Sequence, residues 1–172
     1  IMIDLSKTTS PLNKKVLLEI NRAFGPENWA LSGSNLLYCL DLINRTEIHD
    51  IDIAINETGY KQYLKYYDEN FISKLTNDKN EALYADIKGY EPPLFYQFLF
   101  IIEPLKKIDT FVYSDIVFKS YITKNINLYD IKVNCFDTDY LIKIKERWIG
   151  SVRDTKKHID DCKLYNEKRE NL

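Results

Sequence analysis

The sequence is poor in the residues that mark several specialised protein classes. Its 172 residues include only five Gly, one Met and three Cys, and Lys outnumbers Arg by 19 to 5. The three Cys form no Cys-x-x-Cys pair, so neither a disulfide framework nor a zinc site is predicted. Cys39 and Cys162 fall at apolar helical positions, and we expect buried thiols in a reducing, cytoplasmic compartment.

Long apolar runs and a strong charge of either sign are also missing. The longest apolar stretches, such as 98–102, are far shorter than the ~20 residues that span a bilayer, so no membrane segment is expected. No basic segment followed by an apolar one opens the chain, and we expect no signal peptide. The net charge of −2 does not indicate a generally basic nucleic-acid binder, although a local basic face stays open.

What the sequence does contain is typical of a folded domain. Hydrophobic residues make up 45% and charged residues 29%, which is enough apolar surface for a core. The length predicts a single domain over 1–172. We expect its core at about 29–135 and a C-terminal helical part at about 138–168.

The hydrophobic periodicity predicts helices, then strands, then helices again, which is an α+β fold. Helices are expected at about 12–24 behind Pro11, at 36–42, after 56, at 141–149, and at 152–166 with Ser151 as N-cap. Strands are expected at 29–31, 48–55, 83–88, 94–102 and 108–113. A hairpin of 118–123 and 126–133 is expected to turn at Lys124-Asn125.

Two carboxylates stand out on the strand predicted at 48–55. Asp50 and Asp52 share one face, about 6–7 Å apart at Cα, while His49 is expected on the other face as a packing residue. Unpaired buried carboxylates are costly, but Mg²⁺ prefers such oxygen ligands. Asp109, on the strand predicted at 108–113, is the natural third ligand of a metal pair.

A second motif precedes this strand. Gly33 permits a close backbone approach to a ligand, and Ser34 adds a hydroxyl at the start of the next predicted helix. Backbone N–H groups at a helix start favour anions such as phosphate. A phosphate turn beside a Mg²⁺-binding strand outlines a site for a nucleoside triphosphate.

Together these residues resemble the nucleotidyltransferase superfamily of the DNA polymerase β type. Gly33-Ser34, then Arg45, Asp50-Ile51-Asp52 and later Asp109 are most similar to small bacterial members, such as aminoglycoside and lincosamide nucleotidyltransferases and AbiEii toxins. The tail adds a helical Lys145 and a downstream Lys/Asp cluster at 157–161. The resemblance covers about 29–165 and implies a small mixed β-sheet flanked by helices, with C-terminal helices.

The resemblance also implies roles for the matching residues. Asp50, Asp52 and Asp109 would be catalytic and hold two Mg²⁺ ions. Gly33 and Ser34 would contact the phosphates, with Lys145 and Arg45 as further nucleotide-binding residues. The expected reaction transfers a nucleoside monophosphate from a nucleoside triphosphate to an acceptor hydroxyl and releases pyrophosphate.

Several alternatives stay open. The Asp-Ile-Asp-Ile run is also similar to the LicD and fukutin group, which transfers a phosphorylated alcohol to glycans. A third reading is a non-catalytic member that binds a nucleotide or a partner. The acceptor is a small molecule, a protein or an RNA end, and its site would come from the tail, a large substrate, a homodimer or a partner protein. The net charge of +4 over 143–169 suits phosphates or a solvated helix pair equally.

Overall fold

The computed structural model describes residues 3, 5–66, 73–74, 94–102, 106–149 and 156–169. The helices are α1 (Lys14–Phe24), α2 (Gly33–Cys39), α3 (Glu57–Tyr66), α4 (Asp115–Ser120), α5 (Thr138–Trp148) and α6 (Lys156–Arg169). The strands are β1 (Trp29–Ser32), β2 (Ile51–Asn56), β3 (Ser73–Lys74), β4 (Leu94–Ile102), β5 (Lys106–Tyr113), β6 (Ile122–Leu128) and β7 (Ile131–Phe136). The strand predicted at 83–88 and the N-cap predicted at Ser151 lie outside the described residues.

The strands form one mixed sheet in the described part of the chain. Their order is β3-β4-β5-β2-β1-β7-β6, and the pairs β2–β5 and β1–β7 are parallel while the other neighbours are antiparallel. Helices pack beside this sheet, with α1 against α3 and α2 against β1 and β2. The predicted α+β class is therefore confirmed, with a mixed β-sheet flanked by helices.

Alternation along β2 and β5 places one set of apolar side chains in the core and the acidic residues of both strands on the opposite face of the sheet. Ile51, Ile53 and Ile55 are fully buried in the main core, as are Ile108 and Val112 of the neighbouring strand. Because successive side chains alternate, the intervening residues of both strands point away from this core. The opposite face of the sheet carries Asp52 and Asp109 together with the apolar side chain of Phe111.

Helix α1 begins three residues later than Pro11 would allow. Asn13 is its N-cap, and the Asn13 Oδ1 atom accepts a hydrogen bond from the backbone N–H of Val16 at 3.0 Å. The helix ends at Gly25, which has a φ of 89°. Pro11 therefore precedes the helix and does not start it, because the Asn13 side chain supplies the cap.

The hairpin prediction was wrong in its first strand and in its turn. Residues Asp115–Ser120 form helix α4, because Ser114 caps it by accepting the Val117 N–H at 3.2 Å. The turn between β6 and β7 lies at Tyr129 and Asp130, which adopt φ values of 52° and 65°. Two left-handed residues form the tight turn that matches strand twist, without the Gly that usually signals it.

The C-terminal helices carry a second, smaller core. Asp137 caps α5 by accepting the N–H groups of Asp139 and Tyr140. Helix α6 packs on α5. The buried side chains that join these helices to the end of α2 and the segment after it are Leu37, Leu42, Ile43, Ile142, Cys162 and Tyr165. Among the described residues, no helix is long and apolar enough to cross a membrane.

Candidate active site

One cavity of about 820 Å³ opens on the face of the sheet that the core leaves. Its walls come from the β1–α2 turn, the segment before β2, the strands β2 and β5, and the helices α5 and α6. A volume of this size suits a small-molecule ligand. The cavity is lined by all of the predicted site residues: Gly33, Ser34, Arg45, Asp50, Asp52, Asp109 and Lys145.

The register of three adjacent strands places polar residues level with one another. Asp52 on β2 pairs with Ser32 on antiparallel β1 and with Asp109 on parallel β5. Asp52 and Asp109 share a side-chain hydrogen bond. Asp50 lies just before β2, is exposed, and lines the same cavity. The three carboxylates therefore line one cavity, but Asp50 lies outside the strand that was predicted to carry it on the same face as Asp52.

Asp50, Asp52 and Asp109 form an acidic wall of the cavity, and the pKa of Asp52 reflects their mutual repulsion. Its pKa is raised from 3.8 to about 7, first because the carboxyl is desolvated and then through repulsion by Asp109 and Asp50. Lys145 opposes the shift. A bound cation would offset the repulsion among these carboxylates.

The donor chemistry of this wall fits a Mg²⁺ ion. Asp52 and Asp109 are in contact, and Asp50 acts electrostatically on Asp52, so three carboxylates are available to a hard cation. Within the described residues, no three His, Cys, Asp or Glu side chains are already grouped as metal ligands. The fit therefore rests on the oxygen donors present.

Gly33 is required by its contact with Asp52. A Cβ atom built on Gly33 would lie 2.2 Å from the Asp52 Oδ2 atom and 2.9 Å from its Cγ atom. The φ of Gly33 is also 64°, a conformation that side chains disfavour. The predicted turn residue thus opens helix α2 and lets the backbone approach the carboxylate.

The wall opposite the carboxylates is cationic and comes from the C-terminal helices. Lys145 on α5 is buried, and its Nζ atom lies 3.2 Å from Asp161 Oδ2 and 3.4 Å from His158 Nδ1. Burial lowers the pKa of Lys145, and Asp161 opposes that shift. The pKa of His158 falls to about 4 through burial and the neighbouring Lys145, so a neutral imidazole faces the ammonium group.

Arg45 ties the β1–α2 turn to α6. Its Nε and one terminal nitrogen donate to the two carboxylate oxygens of Asp161 at 3.2 and 3.0 Å. The same terminal nitrogen donates to Ser34 Oγ at 2.5 Å, and the other one donates to the carbonyl of Glu47 at 2.9 Å. Arg45 therefore connects its own segment to the start of α2 and to α6.

Two residues of α6 were not assigned to the site by the sequence. Polar and charged residues on a helix are normally solvated, but His158 and Asp161 are both almost completely buried. Ile159, although apolar, is 44% exposed. The spacing i, i+3, i+4, i+7 of His158, Asp161, Cys162 and Tyr165 was the available signal for the buried face.

His49 also differs from its prediction. The strand was expected to begin at Ile48, which would put His49 opposite Asp50, but β2 begins only at Ile51. The alternation of faces therefore does not extend to His49. It is exposed and lines the same cavity as Asp50.

Part of the cavity lining is apolar. Phe111 and Tyr113 follow Asp109 at alternate positions of β5, and Tyr140, Leu141 and Ile144 face the cavity from α5. Tyr113 and Tyr140 belong to a cluster of aromatic rings that includes Tyr121. The cavity lining thus combines acidic, cationic and aromatic side chains.

Comparisons with known proteins leave the chain without an assigned relative at the sequence level. No protein-family model and no curated protein matches it. Among solved structures, it is similar to a putative nucleotidyltransferase from Thermotoga maritima, with 16% sequence identity, 92% of each chain covered and a TM-score of 0.49. A likeness at this level does not assign a function.

Proposed function

We propose that the chain is a Mg²⁺-dependent nucleotidyltransferase that moves a nucleoside monophosphate from a nucleoside triphosphate to an acceptor hydroxyl. The observation that carries this proposal is the division of one cavity into two charged walls. Asp50, Asp52 and Asp109 line it from the strand side, and Lys145 with Lys157 lines it from the helical side. A metal–triphosphate complex has the charges to meet both walls.

The carboxylates supply the metal-binding half of the proposal. Asp52 and Asp109, already in contact, would hold Mg²⁺ together with Asp50, and the resemblance to nucleotidyltransferases implies two ions. When bound, the metal lowers the pKa of an attacking hydroxyl and neutralises charge on the phosphates. Gly33 keeps the space beside Asp52 free of a side chain.

The cationic wall supplies the phosphate-binding half. Lys145 and Arg45 share Asp161 as their common partner, so this buried group carries one more positive than negative charge. His158 adds no charge, because its pKa of about 4 leaves it neutral near pH 7. A desolvated excess cation attracts phosphate strongly, since the low local dielectric weakens screening. Lys157 is exposed and adds a second positive charge at the cavity.

The reaction that this arrangement supports is an in-line displacement. The acceptor oxygen attacks the α-phosphorus, the bond from that phosphorus to the bridging oxygen breaks, and pyrophosphate leaves while the hydroxyl proton passes to solvent. Asp161 and His158 hold the Lys145 ammonium in place, so it can stabilise the charge that the leaving group gains. Preorganised charge of this kind needs no reorganisation during the reaction.

A transfer assay tests the proposal. Each α-labelled nucleoside triphosphate is incubated with the purified chain, Mg²⁺ and a host lysate as the acceptor source, and labelled products are separated. We expect label transfer with at least one nucleotide, abolished by EDTA and by Asp109→Asn. The matched control is Asp160→Asn, an exposed carboxylate of α6 that does not line the cavity, and it should keep full activity.

The same assay separates the rival reaction. With a labelled CDP-alcohol donor in place of the triphosphates, a LicD-like enzyme would transfer the phosphorylated alcohol. Transfer only from that donor would replace the proposal by the rival. Absence of transfer from every donor, with the nucleotide still bound, would identify a non-catalytic binding protein. If transfer requires a lysate protein that co-purifies with the chain, a partner completes the acceptor side.

A further inference from the structure

Asn35 is a completely buried polar residue next to the site that the proposed reaction does not use. It lies on α2 and is 0% exposed. Its Nδ2 atom donates to the backbone carbonyl of Asp50 at 2.8 Å, and its Oδ1 atom accepts from the Ser10 hydroxyl. Rotating the amide would set its oxygen against the Asp50 carbonyl oxygen, so both bonds fix one orientation.

Asp50 needs such a partner because no strand ladder holds it. The pairing of β2 with β5 begins at Ile51, and that with β1 ends at Asp52, so the Asp50 carbonyl lies outside both ladders. Asp50 is also exposed. A carboxylate on an unpaired lead-in segment is free to move unless other groups fix its backbone.

The N-terminal segment also holds residues 46–50, which lead into β2, through contacts of its own. The N–H of Thr9 donates to the carbonyl of Thr46 at 2.9 Å, and the Thr9 hydroxyl accepts from the N–H of Ile48 at 2.9 Å. That hydroxyl also donates to the Ile48 carbonyl at 3.2 Å. Thr9, Ser10 and Asn35 therefore form a bracket around residues 46–50.

We propose that Asn35, braced by Ser10, is a positioning residue that fixes the Asp50 carboxylate for metal binding at the cavity. Groups behind a metal ligand orient it, and their loss weakens metal affinity by roughly 10–100-fold. The inference rests on the proposed function, because it takes Asp50 as a metal ligand. It assigns to residues 9–10 and 35 a role that lies outside the residues lining the cavity.

The test compares two buried asparagines. Asn28 is 6% exposed and its Nδ2 atom donates to the carbonyl of Phe24 at 2.9 Å, but it does not line the cavity. Asn35→Ala and Asn28→Ala therefore remove the same kind of buried hydrogen bond. Mn²⁺ alone serves as the probe, and free Mn²⁺ is measured by electron paramagnetic resonance at a temperature where circular dichroism shows both variants folded.

We expect Asn35→Ala to raise the Mn²⁺ dissociation constant about tenfold and Asn28→Ala to change it less than twofold. Hydrogen exchange at the amides of 48–52 should accelerate only in Asn35→Ala. Equal Mn²⁺ affinity and equal exchange in the two variants would overturn the inference. If Asn35→Ala does not fold, Ser10→Ala replaces it, with Ser10→Thr expected to restore wild-type values because it keeps the hydroxyl.

The outcomes keep the two proposals apart. If the wild-type chain transfers nucleotide and Asn35→Ala leaves the metal affinity unchanged, only the positioning role is refuted. A wild-type chain that binds Mn²⁺ but transfers no nucleotide refutes the proposed function, while the affinity ratio still decides the role of Asn35. A wild-type chain that binds no Mn²⁺ removes Asp50 as a metal ligand and overturns both.

Discussion

Asp161 is the residue whose loss most directly tests the cationic wall. It is 3% exposed on α6 and pairs with Lys145 at 3.2 Å and with Arg45 at 3.0 Å. The substitution Asp161→Asn keeps the size of the side chain and removes its charge. Lys145, itself 7% exposed, then stays buried without a counter-ion.

The expected cost follows from the burial of the two cations. Breaking a buried ion pair by removing one partner costs roughly 3–5 kcal/mol. The Arg45 side chain is 22% exposed and can turn to water, so most of the cost comes from Lys145. We therefore expect a loss of about 3 kcal/mol, the lower end of that range. For a domain of this size, that lowers Tm by about 6–12 °C.

The pH dependence of this loss has a definite sign. Burial lowers the pKa of Lys145, and Asp161 raises it again, so the pKa is lower still in Asp161→Asn. A buried Lys destabilises the fold while it is charged. This penalty is complete below its folded pKa, falls as the pH rises above that value, and is gone above the pKa of the unfolded chain. The variant should regain stability at a lower pH than the wild type, and the difference between them should shrink in alkaline buffer.

Urea unfolding from pH 7 to pH 10 measures these differences. Asp160→Asn, an exposed neighbour on the same helix, should change the free energy of unfolding by less than about 0.5 kcal/mol. Adding Lys145→Met to Asp161→Asn removes the buried charge and should recover most of the loss. A loss below about 1 kcal/mol, or one that Lys145→Met does not relieve, would refute the account of Asp161 as the partner of a buried cation.

Three further substitutions test the acidic wall and the hairpin turn. Asp52→Asn should abolish transfer and leave the Tm of the metal-free chain equal or higher. Its gain in stability over the wild type should grow from about pH 4 to pH 7, because the pKa of about 7 in the wild type makes ionised Asp52 unfavourable in the folded state over that range. Gly33→Ala should weaken Mn²⁺ binding in titrations and destabilise the chain by about 1–3 kcal/mol, since φ is 64° and its Cβ would meet Asp52. Asp130→Gly should stabilise the chain by about 0.5 kcal/mol in urea unfolding, because Gly relieves a φ of 65° at the cost of some chain entropy; a lower midpoint would contradict this.

The acidic wall could be predicted because local alternation encodes it. The residues Ile51, Asp52 and Ile53 alternate between core and cavity, and the same pattern recurs around Asp109 on β5. Strand period and burial of Ile are local properties, so one sequence is enough to assign these faces. The parallel pairing that sets Asp52 level with Asp109 was not predicted, because register depends on distant segments.

The cationic wall was harder to predict from the sequence. A charged residue on a helix is normally solvated, and nothing local shows that Asp161 meets Arg45 across 116 positions of the chain. The same applies to Asn35, whose partners Ser10 and Asp50 come from other segments. Burial of polar residues is decided by tertiary packing, and propensity and periodicity do not report it.

The left-handed turn at Tyr129 and Asp130 was not predicted for a different reason. Turn prediction depends on Gly and Asn, and here both residues adopt positive φ without either one. The Tyr129 hydroxyl accepts the N–H of Leu5 at 3.1 Å, and its backbone N–H donates to Ile3. These contacts with the N-terminal segment hold a conformation that the local sequence disfavours.

The two charged walls restrict which ligands suit the cavity. A metal ion alone meets Asp50, Asp52 and Asp109 but leaves the Lys145 side with its excess positive charge, and a free phosphate anion leaves the carboxylates repelling one another. A metal–phosphate complex carries positive charge toward the first wall and negative charge toward the second. The metal ion therefore offsets the repulsion among the carboxylates that a phosphate alone would leave, and the phosphate offsets the excess positive charge that a metal ion alone would leave.

Metal and nucleotide should accordingly strengthen each other's binding. We expect Mg²⁺ to tighten the binding of a non-hydrolysable nucleoside triphosphate by about 5–150-fold, the range of coupling free energies of about 1–3 kcal/mol. Since coupling is reciprocal, the nucleotide must tighten metal binding by the same factor. Calorimetric titrations in both orders measure the two factors. Lys145→Met should reduce the coupling toward one, because it removes the charge that the phosphates offset, whereas additive binding in the wild type would show that the two walls do not share one ligand.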